Sequence, residues 1–111
     1  MTVKQILDSG KFDVINLGDD LDRDITTPFC CDLLSIAMGR APAGCAWVTV
    51  MGNMNTLAVA TLADAACIIM AEGALLDDVA MKKAKDQGIT VFASEEPIFD
   101  AALWVYQQLN D

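Results

Sequence analysis

The chain has 111 residues, is 54% hydrophobic, and carries a formal charge of −9 from sixteen acidic and seven basic residues. That length suits a single domain, residues 1–111, with enough apolar side chains to bury a core without disulfides. The charge argues against nucleic acid and against an anionic membrane surface, since both need clustered Lys and Arg. The absence of histidine removes Ser–His and Cys–His nucleophile pairs, imidazole bases and imidazole metal ligands.

"MTVKQILDSG" predicts a short helix. Thr2 and Gln5 fit a capping box, Val3, Ile6 and Leu7 form an apolar stripe, and Gly10 supplies the stop. It lacks the long apolar run of a signal peptide, so a cytoplasmic location is expected. "FDVINL" alternates in the manner of a strand. An acidic connector follows, in which Asp19, Asp20, Asp22, Asp24 and Asp32 surround Arg23. Inside it "ITTPFCC" predicts an edge strand or an irregular extended piece, because Pro28 cannot donate to a ladder.

Asp32 is placed to cap a helix "LLSIAMG" that Gly39 closes. "CAWVTVM" reads as a buried strand. A helix over Thr56 to Ala63 is then expected, with Leu57, Ala60 and Leu62 facing inward, and "ACIIMA" reads as a second buried strand. The apolar run that includes these elements carries Asp64 and Glu72, so helix plus strand explains it better than a membrane span. Leu76 to Gln87 predicts a helix with Asp77 and Asp78 in its first turn, an Asp78–Lys82 pair, and Gly88 at its end. "ITVFAS" is a third buried strand, and "SEEP" opens a last helix that runs to about Leu109. The succession implies an α/β fold with a mostly parallel sheet and flanking helices.

The connector fails as a calcium loop. With Asp20, Asp22 and Asp24 at positions 1, 3 and 5, the required Gly falls on Ile25 and the required Glu on Cys31. Its charges read as a solvated loop, with Arg23 in a salt bridge that fixes the connector. The four cysteines, Cys30, Cys31, Cys45 and Cys67, show no C-x-x-C spacing. They read as reduced and mostly buried, with no metal and no cofactor expected.

The loops that follow the buried strands are the better ligand candidates, since open α/β sheets bind ligands at the carboxyl ends of their strands. They place Gly52, Asn53 and Asn55 beside Glu72 and Gly73 on one rim. The competing reading is that the glycines only make turns and the asparagines only cap a helix. The last helix is apolar almost all round, with Phe99, Leu103, Trp104 and Tyr106 among its residues. So small a monomer could hardly cover it, and a homodimer is expected.

The order and length of these elements resemble the DRTGG domain. The pattern lies in a strand ending in Gly plus polar residues ("VTVMGNMN"), a helix, and a strand ending in Gly ("CIIMAEG"). An acidic-start helix with "KAKDQGITVFAS" follows, and then "EEPIFDAA". That family is a small α/β module found beside CBS domains, in some family II pyrophosphatases and in some phosphotransacetylases. "LDRDITTPFCCDLLSIAMG" is similar to its stand-alone form near iron-only hydrogenase genes, and the whole resembles the HPr kinase/phosphorylase N-terminal domain. The family's Gly-Asp-Arg element falls on Gly52-Asn53-Met54 and its Thr-Gly-Gly element on Ala71-Glu72-Gly73, so both depart from the pattern. The resemblance implies a non-catalytic regulatory or accessory module acting through protein contacts, with a partner in hydrogenase or electron-transfer machinery. The alternative it implies is a sensor of a nucleotide-like anion at the Gly52/Gly73 rim.

Overall fold

A computed structural model describes all 111 residues. The elements, in chain order, are α1 (Val3–Ser9), β1 (Asp13–Asn16), β2 (Pro28–Cys30), α2 (Leu34–Arg40) and β3 (Ala46–Thr49). They continue with α3 (Met54–Leu62), β4 (Cys67–Met70), α4 (Asp78–Gln87), β5 (Val91–Ala93) and α5 (Ile98–Leu109). The strands form one sheet in the order β1-β5-β4-β3-β2. β2 to β5 are parallel neighbours, and β1 lies antiparallel to β5.

This order decides where the helices go. The crossovers β2–β3, β3–β4 and β4–β5 all step the same way across the sheet. Right-handed crossovers then put α2, α3 and α4 on one face. α1 and α5 cover the other, where α5 runs back from the end of β5 to lie over β3 and β2.

Both faces of the sheet centre are therefore buried, which is why β3, β4 and β5 are almost continuously apolar. Successive residues of β3 and β4 serve opposite cores. Val48 and Ile69 pack with Val3, Ile6, Phe12, Phe92 and Val105 on the α1/α5 side. Trp47, Ile68 and Met70 pack with Leu57, Ala60 and Ala84 on the other. Pro28 sits in the edge strand β2, where its missing N–H leaves no gap in the sheet interior.

Several helix ends follow local sequence signals. Thr2 and Gln5 form the reciprocal capping box of α1. Asp77 caps α4 by accepting from the Ala80 N–H at 2.8 Å, and Gly88 ends it in the left-handed region. Others differ from expectation. Gly39 lies inside α2, which continues to Arg40, and the cap position of α2 is Leu33, with no side-chain bond. α3 starts earlier than predicted, at Met54, and Leu62 points outward, 71% exposed, because it falls on the helix face away from Leu57 and Ala60. The ion pair on α4 is Lys82–Asp86 at 3.1 Å, in place of Asp78–Lys82.

Candidate functional site

Because β2 to β5 are parallel, their carboxyl ends share one rim, and the expected ligand residues gather there. Backbone and side-chain contacts knit its loops together. Asp32, after β2, accepts from the Thr49 hydroxyl at 2.6 Å and from the Val50 N–H at 3.0 Å. Asp32 thus ties β2 to β3, and the expected cap of α2 is absent. Gly52, after β3, accepts from the Asp77 N–H at 2.9 Å. Glu72 and Gly73, after β4, donate to the carbonyls of Glu96 and Ser94 at 2.8 and 2.9 Å.

This knitting explains the glycines. A Cβ on Gly52 would collide with the Leu75 carbonyl oxygen, so the loops after β3 and β4 approach with no room for a side chain. Gly73 has φ +74 and sits against the Glu95 carboxylate. Glu72 itself has φ +59, a conformation that costs a residue with a Cβ about 1 kcal/mol or more.

The asparagines act as the structure of α3 requires. The Asn53 side chain accepts from the N–H groups of Asn55 and Thr56 at 2.9 and 3.3 Å and so caps the helix. Asn55 is exposed in the first turn. The rim is also acidic. Glu72, Asp78 and Glu95 make no ion pair, and the nearby Lys11 is held by Glu96 at 2.8 Å.

The one surface cleft lies at the opposite, amino end of the strands. It is about 170 Å³ and is lined by Asp20, Arg23, Thr61, Asp64, Gln87 and Thr90, among others. That is below the roughly 300–1,000 Å³ of pockets that enclose a drug-sized molecule. Arg23 dominates it. Its guanidinium donates to both Asp64 carboxylate oxygens at 2.9 Å and to the Asp64 carbonyl at 3.1 Å. The bond from Arg23 holds the Asp64 carboxyl below its ordinary range. Arg23 does fix the connector, but through Asp64, which is 41 residues away, and through none of the aspartates around it. Sequence reasoning missed Asp64. The one local signal was an Asp directly after a helix, a residue type that tolerates φ > 0, and Asp64 has φ +61.

The residues expected at a dimer interface separate. Trp104 is half-buried and packs edge-on against Phe12 with ring centroids 5.4 Å apart. Phe99 and Tyr106 are 70% and 55% exposed, with Leu103 partly exposed between them. Their i, i+4, i+7 spacing makes one stripe.

All four cysteines are free thiols. Cys45 and Cys67 are buried, Cys31 is half-buried and Cys30 is exposed. Burial pushes Cys45 up to about 11 and Cys67 up as well. No three Cys, Asp or Glu side chains converge as a metal-ion site would require. No helix is long and apolar enough to cross a membrane.

No family model and no curated protein matches the chain. Among solved structures, it superposes on the CBS and DRTGG domains of the regulatory region of a Clostridium perfringens pyrophosphatase, determined with the activator diadenosine tetraphosphate. The TM-score is 0.73 and the identity 14%. The match covers 92% of this chain and 44% of that one, so the chain spans less than half of the protein it resembles. The fold is therefore DRTGG-like, as the order of strands and helices suggested.

Proposed function

We propose that this chain is a non-catalytic regulatory or accessory module that works through protein–protein contacts and forms a homodimer through the outer face of α5. The observation that carries this reading is the stripe Phe99, Leu103 and Tyr106, with Phe99 and Tyr106 exposed and Leu103 partly so, on a helix whose other side is buried. A contiguous patch of aromatic and aliphatic surface is a common mark of an interface. The likeness to a regulatory region supports the regulatory part. The finer assignment, a partner in hydrogenase or electron-transfer machinery, rests on the resemblance of residues 21–39. Free thiols throughout suit a reducing cytoplasm.

Sedimentation equilibrium at micromolar concentration tests the dimer. The expected result is a dimer that Phe99→Glu converts to a folded monomer, with the far-UV spectrum retained. A native chain that stays monomeric sinks the reading.

A second reading has one observation in its favour: the similar regulatory region was crystallised with a dinucleotide. On this reading Gly52, Asn53, Asn55, Glu72 and Gly73 sense a nucleotide-like anion. The unpaired carboxylates of the rim oppose it, since like charge disfavours a polyphosphate. Thermal unfolding with millimolar adenine nucleotides decides; no shift in Tm with any of them removes the sensor.

A further inference from the structure

The rim is also a surface. Five large apolar side chains stand exposed along it: Leu33, Val50, Met54, Leu75 and Val79, at 55, 37, 46, 68 and 59%. Each lies in, or within one helical turn of, the loop that follows β2, β3 or β4. The loops touch in sequence. Asp32 binds the Val50 N–H, Gly52 abuts Leu75, and Asp77 donates to Gly52. The loops that carry the apolar groups are therefore contiguous along the rim. The acids lie along its edge. Asp78 complements the dipole of α4, but Glu72 opens no helix, and neither Glu72 nor Glu95 has an ion-pair partner. Glu72 is moreover kept at φ +59, where Gly or Asn would be more stable.

We propose that this band is the docking surface for a basic amphipathic segment of a partner protein, whose apolar face covers Leu33, Val50, Met54, Leu75 and Val79 while its Lys or Arg side chains meet Glu72 and Glu95. This rests on the reading that the module works through protein contacts and names the chemistry of one partner. Charge complementarity selects the occupant: the band is edged by carboxylates without ion-pair partners, which Lys or Arg side chains would pair and which an acidic segment would meet with like charge. Size agrees. Strands β2 to β5 span roughly 14 Å at the usual strand spacing, the length of about ten helical residues. The rim is also preorganised by close backbone contact at Gly52, which lowers the ordering cost of binding.

The test uses the full chain, labelled with ¹⁵N, and three synthetic peptides of about twelve residues. One carries Lys and Leu at helical spacing, one carries Glu and Leu at the same positions, and one is all Lys. The Lys/Leu peptide is expected to shift the amides of Val50, Met54, Leu75 and Val79, with binding weakened by salt. Leu75→Ser or Glu72→Gln, both at exposed positions, should each weaken it about tenfold. The Glu/Leu peptide should not bind, and the all-Lys peptide should shift only the acidic connector at Asp19 to Asp24. The proposal is overturned if the Lys/Leu peptide fails to bind, binds the connector or α5 instead, or is indifferent to both substitutions. If the peptide fails while the α5 dimer persists, the contact-module reading survives and only this partner chemistry is lost.

Discussion

Arg23 and Asp64 form a two-pronged clamp that joins the acidic connector to the turn after α3. Both guanidinium–carboxylate bonds are 2.9 Å, and a third bond reaches the Asp64 carbonyl at 3.1 Å. The pair is partly solvated, so its worth is about 0.5–1 kcal/mol. Arg23→Ala should lower Tm by a few degrees. Arg23→Lys should recover little of the loss, because an ammonium cannot fork onto a carboxylate. Equal stabilities of native and Arg23→Ala chains, measured by urea unfolding, would remove the clamp from any account of the connector.

The clamp also sets a dependence on acid. Asp64 titrates below 3.8 because Arg23 hydrogen-bonds its ionised form. The folded state therefore binds this proton less readily than the unfolded state. The stabilisation is complete above the unfolded-state value and disappears as pH falls through the lower folded-state value. The stability difference between the native chain and Asp64→Asn should be constant from about pH 5 to 7 and shrink below about pH 4. A difference that grows on acidification contradicts the assignment.

Two glycines should respond in opposite senses to the same substitution. Gly39 is inside α2 with open space where a Cβ would stand, so Gly39→Ala should stabilise by about 0.5–1 kcal/mol. Gly52 would drive its Cβ into the Leu75 carbonyl, so Gly52→Ala should destabilise by about 1–3 kcal/mol. Denaturant midpoints of the two variants on the same side of the native value would refute this pairing.

Thiol labelling should proceed in two stages. Cys30 is exposed and Cys31 half-buried, while Cys45 and Cys67 are fully enclosed. At pH 8 a thiol held at about 11 is ionised in about one molecule in a thousand. Burial and the nearby Asp32 raise the Cys30 thiol, which offsets its greater exposure, so a colourimetric disulfide reagent should modify Cys30 and Cys31 together and should reach the other two only in denaturant. Rapid modification of Cys67 in the native protein would show that the sheet interior opens far more readily than its packing implies.

Signals confined to a few residues were readable in the sequence. The capping box of Thr2 and Gln5, the Asp77 cap and the Gly88 stop each act within one helical turn, and the apolar runs named the strands. What escaped depends on residues brought together by the fold. Asp32 resembles a cap locally, yet its partners Thr49 and Val50 lie in and after β3. Asp64 gave no sign of Arg23. In α5 the sequence left open which side is buried. The buried side consists of Ala101, Ala102 and Val105, small residues that let the helix sit close to the sheet, while the larger Phe99 and Tyr106 face outward. Both sides are apolar, so hydrophobicity alone could not tell them apart. Size could have.

β1 pairs with β5 and with no other strand. A chain made from its amino end thus holds residues 13–16 without a sheet partner until residues 91–93 exist. The face under α1 stays open longer still, since α5 completes it. The α2–α4 side takes its buried core from residues 37–84 and, of the later chain, only Val91. One side of the sheet can thus consolidate early, and the side that carries α5 is the last to close.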